Sequence, residues 1–257
     1  MGNLLGLATL LLLLPTLTSA GRVRDGIIGG NVATAHSRPY MGYMVVQHCL
    51  EEEEIPENCG VFLLREDFVM TAAHCNGRKL TVLLGVHDIL KKEPSRQTFL
   101  IKERFPHPEF CEESLINDIM LLKLPRNATL NKYVKTIPLP AKSEDVKENS
   151  MCLVSGWGST SPDGENNPQE LQEVNVTVIS RETCREDWNE HITKYRLCTK
   201  GGVGPCVGDS GSPLVCNGVA QGVVSFSTDP CNMNDFPHVY TRISHYLPWI
   251  NKVMGTH

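Results

Sequence analysis

Three short stretches of this chain carry side chains that could perform acyl transfer together. A hydroxyl sits among glycines in Gly208-Asp209-Ser210-Gly211-Ser212-Pro213, an imidazole lies beside a cysteine in Thr71-Ala72-Ala73-His74-Cys75, and a carboxylate precedes an apolar run in Asn117-Asp118-Ile119. A serine hydroxyl is a poor nucleophile at neutral pH until a base takes its proton, and an imidazole is an effective base when a carboxylate fixes its tautomer. Each stretch alone has an ordinary structural explanation, a histidine in a turn or an aspartate as a cap. Together they run His, Asp, Ser along the chain, which is the order of one of the three unrelated Ser-His-Asp constellations.

The elements that would position these groups are strands. Short runs rich in apolar and β-branched residues recur between turn residues, predicting strands over 41–47, 61–64, 68–71, 81–84, 98–103 and 119–123, then over 150–155, 172–178, 213–215, 220–226 and 239–242. The proline-containing segment 125–140 reads as the crossing between two sets of strands. Only the end reads as helix: Ser244 is the expected N-cap, and Tyr246, Trp249, Ile250 and Val253 recur at helical intervals, predicting a helix docked on the second set. Asn127-Ala-Thr and Asn175-Val-Thr fit the N-glycosylation pattern.

Residues 1–20 lack charge, contain an unbroken leucine run at 10–14 and end on Thr18-Ser19-Ala20, which predicts a secretory leader. The apolar stretch falls short of the roughly 20 residues a membrane span needs, and no later segment qualifies. Residues 21–26 read as a propeptide, and 27–257 as the functional domain, a first half to about 124 and a second half after the crossing. With 24 Lys and Arg against 29 Asp and Glu the net charge is −5, which gives no basic patch for nucleic acid. Ten cysteines behind a leader imply disulfides, and the absence of any C-x-x-C pair argues against zinc, so neither metal nor cofactor is expected.

From Ile27 to the C-terminus the chain resembles the chymotrypsin-like serine proteases. The resemblance implies an all-β fold of two antiparallel six-stranded barrels, with the active site between them and a C-terminal helix. It implies Ser210 as nucleophile, His74 as general base, Asp118 as its orienting carboxylate, and the N–H groups of Gly208 and Ser210 as the oxyanion hole. Ile27-Ile28-Gly29-Gly30 looks like the family's activated N-terminus, whose freed amino group would pair with Asp209. The implied bridges are Cys59–Cys75, Cys152–Cys216, Cys184–Cys198 and Cys206–Cys231, leaving Cys49 and Cys111.

The stretches His36-Ser37-Arg38-Pro39-Tyr40-Met41, Leu130-Asn131-Lys132-Tyr133-Val134, Glu173-Val174-Asn175-Val176-Thr177 and Gly208 to Pro213 are similar to the granzyme branch, granzymes A and K above all. The implied substrate pocket, Gly204, Pro205, Val207, Ser225, Phe226, Ser227 and His238, departs from that branch. Gly204 stands where those relatives carry an aspartate that binds Arg or Lys, and His238 stands where glycine leaves room. Cleavage after Arg or Lys is therefore not expected. A medium apolar residue, or an acidic one paired with protonated His238, would suit the pocket.

The resemblance further implies a secreted or granule-stored endopeptidase acting on protein substrates, open to serpin-type inhibitors and serving an immune, cytotoxic role. A catalytically silent binding protein on the same fold, or a secreted protease without a cytotoxic role, are the alternatives. The propeptide would be trimmed by a dipeptidyl peptidase or cut by a trypsin-like enzyme after Arg24. Cys111 would either link a homodimer or bridge to Cys49. The acidic run at residues 51–54 is expected on a surface loop, with a preference for basic residues after the scissile bond as the sharper reading.

Overall fold

The computed structural model describes residues 27–48, 56–228, 231 and 236–257. The leader, the propeptide, Cys49 and the acidic run at 51–54 lie outside the described residues. The first half of the chain supplies β1 (Asn31–Val32), β2 (Met41–Gln47), β3 (Glu57–Arg65), β4 (Phe68–Thr71), β5 (Lys79–Leu84), β6 (Gln97–Ile101), β7 (Glu103–Pro106) and β8 (Met120–Lys123). The second half supplies β9 (Met151–Gly156), β10 (Gln172–Ile179), α1 (Arg181–Trp188), β11 (Arg196–Thr199), β12 (Pro213–Cys216), β13 (Val219–Phe226), β14 (His238–Arg242) and α2 (Ile243–Thr256).

The pairings form two antiparallel seven-stranded sheets, ordered β6-β5-β2-β3-β4-β8-β7 and β1-β10-β11-β14-β13-β12-β9. Both seventh strands have a simple origin. In the first sheet β6 and β7 are one run broken only at the exposed Lys102, so the same stretch borders both ends and the sheet curls on itself. In the second, β9 returns to pair with β10 from Gln172↔Gly156 to Thr177↔Met151, closing six strands. There β1 is an addition on the outside through Asn31↔Glu173 and Val32↔Gln172. Two six-stranded barrels thus remain the underlying architecture.

Period-two alternation explains which faces point inward. In β5, Leu80, Val82 and Leu84 are buried while the residues between them are not. Phe62, Phe68, Phe99, Met44 and Leu121 complete that core without exposure. Full burial of such side chains contributes about 1.5–3 kcal/mol each. The second core gathers Val154, Val176, Val178, Leu197, Leu214 and Tyr240 around Ile27.

The helices differ from the sequence expectation. α1 has no apolar stripe, and its one buried residue is Cys184; the Ser180 hydroxyl caps it by accepting from the Thr183 N–H at 3.0 Å, and a disulfide to Cys198 anchors it. α2 begins two residues early, so Ser244 is buried inside the first turn and does not cap it. Nor does α2 rest on the second barrel alone. Ile243, Tyr246 and Ile250 join the core of the first barrel, and the Arg65 guanidinium donates to the Met254 carbonyl at 2.8 Å. The helix therefore clasps both halves. Among the described residues no helix is long and apolar enough to cross a membrane, and no cluster of potential metal ligands occurs.

Disulfides join Cys59 to Cys75, Cys152 to Cys216, Cys184 to Cys198 and Cys206 to Cys231. The first ties β3 to the histidine turn across a separation of 16 residues. Replacing Cys59 and Cys75 together by serine is expected to cost about 3 kcal/mol of stability, the loop-entropy value for that length, read from urea unfolding.

Candidate active site

β4 ends at Thr71, and the buried Ala72 and Ala73 lead into a single 3-10 turn, Ala73–Cys75, that carries His74. Small side chains let this turn pack under the neighbouring loop, and the disulfide at Cys75 holds it to β3. Asp118 lies just before β8 and is fully buried. Its Oδ2 accepts from His74 Nδ1 at 2.8 Å, and its Oδ1 accepts from the His74 backbone N–H at 3.0 Å. The Ser225 hydroxyl donates to Oδ2 at 2.6 Å, and the Thr241 hydroxyl donates to the Asp118 carbonyl at 2.8 Å.

A carboxylate oxygen accepts only, so Nδ1 bears the ring proton and Nε2 is left as the base. Burial pushes the Asp118 carboxyl up, but the charge and hydrogen bond of His74, with the Ser225 bond, outweigh it and hold it below the ordinary range. Burial likewise pushes the His74 imidazolium down, and the Asp118 charge and hydrogen bond more than reverse this, leaving it raised above 6.5.

Ser210 occupies a sharp turn pressed against the histidine segment. The Gly60 N–H donates to the Ser210 carbonyl at 2.8 Å. Gly211 has φ +82°, and a Cβ there would lie 2.1 Å from Thr71 Oγ1 and 3.0 Å from the Ala72 nitrogen. Only glycine permits that approach, which brings the serine turn to the residues immediately before His74. The Asn58 amide donates to the Gly208 carbonyl at 3.2 Å, fixing that peptide. Among the described residues the N–H groups of Gly208 and Ser210 donate to no other group, so both are free for an oxyanion.

Behind this turn Asp209 is fully buried, accepting from the Gly158 N–H at 2.8 Å and the Cys206 N–H at 3.0 Å. Burial pushes its carboxyl up to about 7 despite those donors. Ile27 is also fully buried, and the Gly204 N–H donates to the Ile28 carbonyl at 3.0 Å. The chain's first described residues are therefore packed beside the segment that carries Asp209.

A cavity of about 200 Å³ opens beside Ser210, walled by Pro205, Val207, Ser225, Phe226 and Ser227. No ionisable side chain lines it among the described residues. Gly204 and His238 do not line it, contrary to the sequence expectation. His238 is fully buried, its Nδ1 bonded to Ser227 Oγ at 2.9 Å and its ring packed on Gly204. Gly204 has φ +151°, and a Cβ there would lie 2.5 Å from His238 Cδ2. Burial pushes the His238 imidazolium down to about 4, against a smaller pull from the Val203 carbonyl. The ring is therefore neutral near pH 7, and selection of acidic residues by a protonated His238 is withdrawn.

Sequence reasoning missed Arg196, Thr241 and Asn58, and noted Ser225 only as pocket wall. Arg196 stands two residues before Cys198 in β11, whose residues are all buried, and nothing in the sequence alone set it apart from an exposed charge. Cys111 is exposed and free among the described residues, and Cys49, the other partner of the expected Cys49–Cys111 alternative, lies outside them. Asn127 and Asn175 are both exposed, although the Asn127 amide donates to Glu66 Oε1 at 2.6 Å.

The trypsin family model matches residues 27–250. The chain is 43% identical over 250 residues to duodenase-1 of Bos taurus, spanning 95% of this chain and 96% of that one. It is 41% identical to mast cell protease 2 of Meriones unguiculatus over 98% of both, and 40% identical to granzyme B of Homo sapiens over 89% of this chain and 91% of that one. A solved structure described as "Structure of GrC" matches with TM-score 0.81 at 40% identity, covering 89% of this chain and 100% of the other. With a buried carboxylate–imidazole pair, a tightly packed serine turn beside it and relatives of this closeness along nearly the whole chain, the protein belongs to the trypsin family of chymotrypsin-like serine proteases and is a serine endopeptidase.

Proposed function

We propose that Ser210, His74 and Asp118 carry the reaction, and that the enzyme cleaves after medium-sized apolar residues. The observation that carries the first part is the 2.8 Å bond from His74 Nδ1 to the buried Asp118, which leaves Nε2 facing outward as the base. The Ser210 hydroxyl attacks the scissile carbonyl while Nε2 takes its proton. The oxyanion that forms is met by the Gly208 and Ser210 N–H groups, each such donor worth about 100- to 1000-fold in rate. The imidazolium, held by Asp118, returns the proton to the leaving amine, and water then releases the acyl group by the same steps.

Cleavage before Ile27 is the proposed activation step. A buried carboxyl with two N–H donors and no cation is costly to ionise, and a new ammonium at Ile27 would supply the missing charge. The pocket supports the substrate preference: its walls are neutral, so a cationic side chain entering it would lose water and gain no counter-charge. A secreted or granule-stored immune protease, glycosylated at Asn127 and Asn175, is the broader role we propose. It is supported by relatives that are mast cell proteases, chymases and granzymes.

Ser210→Ala is expected to lower kcat by about six orders of magnitude without changing the melting temperature, because the triad acts as a unit. Activity within a hundredfold of the parent would remove Ser210 from the mechanism. Turnover needs neutral His74, whose imidazolium is favoured in the fold. The stability it contributes is complete below the unfolded value and lost as pH rises through the raised one, and turnover moves the opposite way. The acid limb of kcat/KM is accordingly expected above pH 6.5. In a peptide library cut by protein beginning at Ile27, apolar residues should dominate before the scissile bond and Arg and Lys should be absent. Gly204→Asp alone should not restore cleavage after Arg, since its Cβ would collide with the His238 ring; efficient cleavage after Arg in that variant would refute the packing argument.

A further inference from the structure

β11 opens on a charge where its neighbours are apolar or neutral. Arg196 is 2% exposed. Its Nη1 donates to Ser225 Oγ at 3.0 Å and to Thr241 Oγ1 at 3.5 Å. Its Nη2 donates to the Ser114 carbonyl at 3.4 Å and to the Leu115 carbonyl, and Cζ lies 5.1 Å from the centroid of the Phe226 ring. Every direct partner is neutral. A buried guanidinium with neutral partners is expensive, and burial indeed pulls its proton affinity down, opposed chiefly by the charge of Asp118.

That carboxylate is one hydroxyl away. Ser225 accepts from Arg196 and donates onward to Asp118 Oδ2 at 2.6 Å. The hydroxyl has a single proton, and a cationic donor on its lone pair leaves that proton aimed at the carboxylate while strengthening the bond it makes there. The other arm of the guanidinium grips the turn just before Asp118. Leu115 holds φ +52°, a left-handed conformation costly for leucine, and Asn117 follows at +57°. Arg196 thus joins the loop that delivers Asp118 from the first barrel to the two hydroxyls that meet it from the second.

We propose that Arg196 is a positioning residue for the hydrolytic reaction: its buried guanidinium locks the Ser225 hydroxyl onto Asp118 and pins the turn at 114–115, fixing the carboxylate while placing a positive charge beside the Asp118–His74 pair. The proposal rests on the triad assignment above. The charge of Arg196 also acts against a second positive charge on His74. The other ionisable groups facing this network are Glu57, which acts on His74, and Tyr246, which acts on Arg196. The Tyr246 hydroxyl donates to Asn117 Oδ1 at 2.9 Å and burial pushes it up to about 12, so it stays neutral. The rings of His107 and His245 lie against Tyr246, and burial pushes both imidazolium groups down, away from the raised imidazolium of His74.

The test is the pH profile of kcat/KM for the parent protein beginning at Ile27, Arg196→Lys and Arg196→Gln, with melting curves to establish folding. Arg196→Gln keeps polar contacts but removes the charge, so the imidazolium of His74 becomes easier to form. Its acid limb should move to higher pH by roughly half a unit or more, the scale of removing a nearby unit charge from a partly screened interior. Arg196→Lys should keep the limb of the parent. A folded Arg196→Gln with an unmoved limb overturns the proposal, as does a limb that moves equally in Arg196→Lys. Should Arg196→Gln not fold, Arg196→Met takes its place as a neutral chain of similar length. Failure of both neutral variants to fold beside a folded Arg196→Lys would make the charge purely structural and would equally overturn the proposal. Failure of the triad assignment is distinguishable, because Ser210→Ala would then retain activity whatever the Arg196 variants do.

Discussion

The buried carboxylate of Asp118 is the constraint around which this molecule is arranged. An ionised carboxylate without exposure is tolerable only if its oxygens are met by donors, since the desolvation penalty is otherwise several kcal/mol. Both barrels supply them. His74, in the turn after β4 of the first barrel, donates to both oxygens, while from the second barrel Ser225 on β13 adds a donor to Oδ2 and Thr241 on β14 holds the Asp118 main-chain carbonyl. The full set of donors is thus present only when the two halves are docked, and the imidazole lies at their junction. α2 reinforces the same junction, carrying apolar residues from the end of the chain into the core of the first barrel.

Two aspartates are fully buried near the serine turn, and they respond to burial in opposite ways. Asp118 faces an imidazole that can accept positive charge, and its carboxyl is held low. Asp209 faces only backbone N–H groups, and its carboxyl is pushed up to about 7. Hydrogen bonds from neutral donors offset part of the desolvation cost but not all of it. The difference separates a site complete within the fold from one to which the proposed cleavage before Ile27 would bring a cation.

Behind the pocket wall, Gly204 and His238 are packed against each other. A glycine at 204 admits the imidazole, and the imidazole in turn excludes any Cβ at 204. Burial keeps the ring neutral, so this pair brings no charge to the floor behind the cavity. The hydroxyl of Ser227 occupies the ring's Nδ1, which ties the wall of the cavity to the packing behind it.

What the sequence by itself determined was local chemistry and local periodicity. The serine between glycines, the histidine next to a cysteine and the aspartate before an apolar run were legible because each context spans a few residues. The strands were legible because β-alternation is a short-range pattern, as in β5. Even the pairing of Gly204 with His238 showed as a double departure from a familiar motif, although the direction of the effect did not. Tertiary structure decided the rest. Whether His238 meets water or lies under the pocket depends on packing that brings together residues 34 positions apart, and that burial fixed its charge. The bend at Lys102 and the clasp made by α2 are likewise products of closure, whereas the Ser180 cap on α1 is a contact three residues long. Arg196 is the clearest case: in the chain it is one charged residue in a short strand, and only the fold places Ser225, 29 positions away, and Leu115, 81 positions away, against its guanidinium. Desolvation and hydrogen-bond geometry are properties of assembled neighbours, and no spacing along one chain encodes them.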